Sequence, residues 1–168
     1  MNRIKFIVNP RSGEKKTLVF LRKLKYYCNY YNLDYSISLT KDKHHGTEMA
    51  DEAMHQGFDI IVAVGGDGTL HEVLQGIVGK DLTLGVIPFG SSNDFARTVK
   101  IPKDIKEAVR IIAKGKVKKI DVGAVNDRFF INISSAGFDG EVVARLPKMR
   151  SKYLFSLVYI LGVFKELF

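Results

Sequence analysis

A single cysteine in 168 residues rules out a disulfide framework. That residue, Cys28, falls on an apolar stripe with Leu18, Leu21, Leu24 and Tyr31. There it reads as a buried, inert thiol, and a reducing cytoplasm is its natural compartment. The N-terminal stretch MNRIKFIVNP is strand-like and carries no apolar core of a signal peptide. No apolar run reaches the roughly 20 residues that span a bilayer. The strongest, LFSLVYILGVF at residues 154–164 between Lys152 and Lys165, reads as a helix to be buried, with its partner expected beyond Phe168 or in a homo-oligomer. The pattern GxGxxG is missing after the first strand, which argues against a dinucleotide oxidoreductase. Zinc-ligand spacing, a recognition helix and an aromatic-interleaved basic stripe are also missing, so charge alone does not make this a nucleic-acid binder. Acidic residues are in deficit, 18 against 26 Lys and Arg, leaving +8. That surplus suits an anionic membrane or phosphorylated ligands, and equally a plain soluble surface.

The apolar fraction of 46% supports a core, and the length suits one domain or one domain with part of another. Strands are expected at residues 4–8, 35–39, 60–64 and 82–87. Helices are expected at 14–31, 46–56, 69–78, 93–99 and 105–113, bounded by Gly57, Gly79, Pro102 and Gly115. This alternation with short connections predicts an α/β fold with a parallel sheet and helices on both faces. The pattern changes near residue 117. Residues 118–125 and 128–134, joined by Asn126-Asp127, read as a β-hairpin, which divides the chain into an α/β domain at 1–117 and the start of a second domain at 118–168.

Five apolar residues, 60–64, run into Gly65-Gly66-Asp67-Gly68 and then a helix. Glycines let backbone N–H groups reach a phosphate unobstructed, and the helix start adds positive potential. One acid among three glycines repels a bare phosphate but suits a divalent cation placed between them. The first reading is therefore a nucleotide–magnesium site. Ligands in open parallel sheets bind at the carboxyl ends of strands. The other strand ends carry Asn9-Pro10-Arg11-Ser12-Gly13, then Thr40, then Gly90-Ser91-Ser92-Asn93-Asp94; Glu72 follows the glycine loop, and Asp121 sits in the first hairpin strand. Taken singly, Asp94, Ser91 and Ser92 read as helix caps. Their recurrence at successive strand ends predicts one composite site.

These residues resemble a known family. Asn9-Pro10-x-Ser12-Gly13, Gly65-Gly66-Asp67-Gly68-Thr69 with Glu72, Asn93-Asp94-Phe95-Ala96-Arg97, Ile120-Asp121-Val122-Gly123 and Gly137-Phe138-Asp139 look like the diacylglycerol kinase catalytic domain, in particular its soluble bacterial members. The Gly65–Thr69 motif by itself is shared with NAD kinases. The resemblance implies a phosphofructokinase-like ATP-binding domain followed by a β-sandwich, here incomplete, with the late acidic general base and a structural Mg²⁺ site outside the sequence. It implies ATP and Mg²⁺ as cofactors and diacylglycerol as acceptor, giving phosphatidic acid. It places Asn9, Pro10, Arg11, Ser12, Gly13, Gly65, Gly66, Gly68, Thr69, Leu70, His71, Glu72 and Ser91 around the nucleotide, with Thr40 at the ribose or base edge. Asp67, Asp94 and Asp121 become the catalytic and metal-binding acids. Two positions depart from the family: Ser91 stands where threonine is usual and keeps the hydroxyl, and His71 stands where asparagine is common. A cytoplasmic kinase of this kind meets its lipid by peripheral association with an anionic membrane, for which Lys15, Lys16, Lys148, Arg150 and Lys152 are candidates. The competing readings are a kinase of NAD or a sphingoid lipid, against which Asn93-Asp94-Phe95 and the compact architecture speak, and a nucleotide-binding fragment without catalysis.

Overall fold

Strand β1 (Arg3–Val8) is buried from Ile4 to Val8 and so must present apolar side chains to both faces of a sheet. Ile4, Phe6 and Val8 enter one core and Ile7 the other. Strand β3 (Ile60–Gly65) repeats this, with Ile60, Val62 and Val64 on the first face and Ile61 and Ala63 on the second. The computed structural model describes residues 2–13 and 16–132. The apolar run at 154–164, Gly137-Phe138-Asp139, Lys148, Arg150 and Lys152 lie outside the described residues, as do Glu14 and Lys15.

With β2 (Asp34–Leu39) and β4 (Thr83–Pro88), these strands form one parallel sheet in the order β2-β1-β3-β4. The first face is covered by α1 (Thr17–Tyr30) and α5 (Ile105–Ala113), through Leu24, Cys28, Ile105, Ala108 and Val109. The second is covered by α2 (His45–Ala53), α3 (Asp67–Ile77) and α4 (Asp94–Thr98), through Ala50, Ala53, Leu70, Val73, Ile77, Phe95 and Ala96. The expected α/β fold with helices on both faces is therefore the observed one. Burial pushes the Cys28 thiol up to about 12, in keeping with an inert core residue.

The chain leaves β1 toward β2 and then crosses back over β1 to build β3. That reversal opens a crevice between the carboxyl ends of β1 and β3. Register makes it narrow: Val8 pairs with Val64, and the Asn9 N–H donates to the Val64 carbonyl at 2.9 Å.

Several boundaries differ from those read off the sequence, and the reasons are local. Helix α3 begins at Asp67 and not near Thr69, because Gly66 is already its extended N-cap (φ −92°, ψ −171°). Helix α2 ends at Ala53 and not at Gln56, where a closing turn takes over: the Phe58 N–H bonds the Ala53 carbonyl, and Gly57 takes φ +75°. The hairpin is shorter than expected, with β5 (Gly123–Val125) and β6 (Arg128–Phe130) around a turn that has Asn126 at φ 51°. The segment before it alternates lysines with exposed Val117, Ile120 and Val122, so it has no buried face to hold it in a ladder. The compact unit containing all described residues runs through Asn132.

Candidate nucleotide site

The carboxyl ends of β1, β3 and β4 are fastened by short side-chain and main-chain contacts. After β1, the Asn9 side chain closes a local turn by accepting the Arg11 N–H at 2.9 Å, and its Nδ2 donates to Thr69 Oγ1 at 3.2 Å. This ties the first loop to the first turn of α3. Thr69 is 4% exposed, and a Cβ on Gly65 would stand 2.3 Å from its hydroxyl, so glycine is needed there. The loops after β3 and β4 touch backbone to backbone: a Cβ on Gly90 would fall 2.5 Å from the Gly66 Cα. Asn93, 3% exposed and at φ 56°, holds this turn closed by accepting the Gly90 N–H at 3.0 Å and donating to the Gly90 carbonyl at 2.6 Å. Gly13 is covered by the Phe89 ring, itself stacked on Phe20 at 4.0 Å between centroids.

Gly68 stands apart. It is exposed, and a Cβ there would meet nothing within 4 Å. Glycine early in a helix lowers stability by up to about 1 kcal/mol relative to alanine. Among the described residues no contact explains the choice. The Leu70 N–H makes the first bond of α3, to the Gly66 carbonyl at 3.1 Å, so the N–H groups of Asp67, Gly68 and Thr69 precede the helical ladder. An open glycine among such amides, at the positive end of a helix dipole, is an arrangement that can receive an anion.

Among the acids, Asp67 Oδ2 accepts the Asp94 N–H at 3.1 Å, and Oδ1 accepts the Phe95 N–H at 3.2 Å and Asn132 Nδ2 at 3.3 Å. Asp67 thus caps α4 as well as beginning α3, and it brings Asp94 close through main chain. The Asp94 carboxylate is paired with Arg97. Asp121 is exposed, precedes β5 by two residues, and makes no hydrogen bond or ion pair among the described residues. Among those residues no three His, Cys, Asp or Glu side chains gather closely enough to hold a metal ion. Asp67, Asp94 and Asp121 are therefore not assembled into one three-carboxylate cage.

The remaining expected residues divide. Ser12 and Pro10 line the first loop: the Ser12 N–H bonds the Asn9 carbonyl, and the Pro10 carbonyl accepts Thr17 Oγ1 at 2.8 Å. Arg11 and Ser91 are exposed beside the crevice loops. Thr40 is buried at the end of β2, its N–H bonded to the Val8 carbonyl at 2.9 Å. Leu70 turns its side chain into the second core and spends its N–H on Gly66. Glu72 fastens the start of α2: Oε2 accepts the Gly46 N–H at 3.3 Å, and its carbonyl accepts Thr47 Oγ1 at 2.9 Å. His71 is half-buried, and its carbonyl accepts from Gln75. The sequence did not reveal Phe89, Gln75 or Asn132. Asn93 carried a visible signal, an asparagine between a glycine turn and a helix.

Both the sequence and the fold have known relatives. The sequence model described as the diacylglycerol kinase catalytic domain matches residues 3–125. Diacylglycerol kinases of Staphylococcus aureus strains bovine RF122 / ET3-1 and MRSA252 are each 35% identical over 174 residues, covering 98% of this chain and 53% of the relative. A crystal structure of a diacylglycerol kinase from Bacillus anthracis str. Sterne superposes with a TM-score of 0.71 at 34% identity, covering 78% of this chain and 50% of that one. The chain spans about half the length of the curated relatives it matches.

Proposed function

Because the chain belongs to the diacylglycerol kinase catalytic domain family, we propose that it supplies the nucleotide half of an ATP-dependent lipid kinase, with diacylglycerol as acceptor and phosphatidic acid as product. The observation that carries the reading is the open Gly68 beside the unladdered amides of Asp67, Gly68 and Thr69. These amides hold the ATP phosphates, and Gly68 leaves room for them. Asn9 fixes the Thr69 hydroxyl at the crevice. Ser12, Gly13 and Ser91 border the nucleotide, and Thr40 faces its ribose or base. Asp67 and Asp94 are the residues that would hold magnesium at the nucleotide. That fits an ion content with one or two carboxylates, and no all-protein cage stands among the described residues. Bound magnesium neutralises charge that builds on the phosphates. Asp121 joins them as an outer, orienting acid.

The hydroxyl oxygen of the lipid attacks the γ-phosphorus, the bond to the β-bridging oxygen breaks, ADP leaves, and a general base outside residues 1–168 takes the hydroxyl proton. The division expected near residue 117 puts the nucleotide loops before it and the lipid-binding part of the whole protein after it, with Asp121 and the hairpin at the junction. The basic surplus favours peripheral approach to an anionic membrane.

Two measurements test this. Mg-ATP is expected to raise the melting temperature of the chain, and Gly68→Val is expected to abolish the rise while leaving the ligand-free melt in place. An equal rise in Gly68→Val contradicts this placing of the phosphates. Phosphatidate formed from labelled ATP and diacylglycerol micelles by the whole protein identifies the acceptor; transfer to a sphingoid base or NAD instead contradicts it.

A further inference from the structure

Gln75 lies two turns into α3, and its carboxamide grips main chain. Oε1 accepts the Phe129 N–H at 3.0 Å, and Nε2 donates to the Phe129 carbonyl at 2.8 Å. Phe129 stands opposite Ala124 and turns both groups outward, as the non-hydrogen-bonded member of an antiparallel pair does. The side-chain amide of Gln75 thus takes the place of a neighbouring strand. Three residues later Asn132 Nδ2 reaches Asp67 Oδ1, and Ile131 between them packs on the second core. The lengths agree. From Phe129 to Asn132 an extended chain covers about 10 Å. From Asp67 to Gln75 the helix covers about 12 Å. The chain leaving β6 therefore runs antiparallel along α3 and is pinned at both ends. Its far pin lands on the carboxylate that also receives the Asp94 and Phe95 amides.

We propose that Gln75 and Asn132 are positioning residues of the nucleotide site. Gln75 holds the strand leaving the hairpin against α3, and Asn132 at its end fixes the Asp67 carboxylate. Hairpin docking and occupation of the helix start thereby favour one another. The proposal rests on the nucleotide reading above.

The test follows amide exchange across residues 123–130 of the full chain, and its Mg-ATP affinity, in the unaltered protein, Gln75→Leu, Gln75→Glu and Asn132→Leu. Without nucleotide, Gln75→Leu is expected to speed hairpin exchange about tenfold while β1 and β3 keep their protection. Gln75→Glu keeps an acceptor for the Phe129 N–H and is expected to fall between. Gln75→Leu and Asn132→Leu are each expected to weaken Mg-ATP binding roughly five- to tenfold, the scale of one lost hydrogen bond. Mg-ATP is expected to slow hairpin exchange in the unaltered protein and to lose that effect in both leucine variants. Unchanged hairpin exchange in Gln75→Leu overturns the clamp whether or not nucleotide binds. Faster exchange with undiminished Mg-ATP affinity overturns the hold on the site. Failure of the unaltered protein to bind Mg-ATP overturns the nucleotide reading and the positioning role with it, and hairpin exchange then still decides the clamp separately.

Discussion

Two glycines of α3 should respond in opposite ways to the same substitution. Gly68→Ala adds a methyl to open space in a helix and is expected to stabilise the ligand-free chain by up to about 1 kcal/mol. Gly76→Ala drives a methyl to 2.5 Å from the Thr47 carbonyl and 2.8 Å from the Ala50 side chain, and is expected to destabilise by about 1–3 kcal/mol. Chemical denaturation of the two variants checks both signs. Away from the crevice, Lys5 is 5% exposed in β1, donating to Gln56 at 2.7 Å near the Phe58 ring. Burial lowers its pKa below the ordinary 10.5, an effect partly offset by Glu52. The unfolded chain therefore holds that proton more tightly, so this group's contribution to stability rises with pH from the lowered value up to about 10.5. Lys5→Met is expected to gain stability at pH 7 and to show a smaller rise toward pH 10 than the unaltered chain, as melts across that range would reveal.

At the scale of elements, α3 joins the crevice to α2 and to the hairpin, and different faces do each task. A helix turns about 100° per residue, so Glu72 lies about 140° around from Asp67. That angle explains why Glu72, which follows the glycine loop in the same motif, binds α2 instead of the crevice. Glu72→Ala is expected to lose the cap on the Gly46 N–H at a cost of about 1 kcal/mol, read as a lower melting temperature with amide exchange accelerated first in α2. The strands were legible because residues 60–64 are apolar throughout and residues 4–8 are apolar but for Lys5, as strands covered on both faces are. The start of α3 was misplaced because an extended Gly66 and a helical Asp67 leave no mark in composition. Gln75 and Asn132 were illegible for a different reason. Their partners lie 54 and 65 residues away, and local pattern carries no such information.

For the molecule as a whole, the reversal of strand order between β1 and β3 gathers loops far apart in sequence, and Asn9 meeting Thr69 across 60 residues is its direct product. The recurring glycine, hydroxyl and acid at successive strand ends announced that gathering. Of the three acids, Asp67 receives the Asp94 main-chain N–H, and Asp121 makes no hydrogen bond or ion pair among the described residues. No described helix is long and apolar enough to cross a membrane. The central claim is that nucleotide phosphates sit on the first-turn amides of α3. The most direct measurement is a Mg-ATP titration followed by amide nitrogen–proton NMR. Saturable shifts are expected, largest at Asp67, Gly68 and Thr69, with smaller ones at Gly90 and Asn93. Amides that stay fixed at saturation, while the main shifts fall elsewhere in the chain, would contradict the claim.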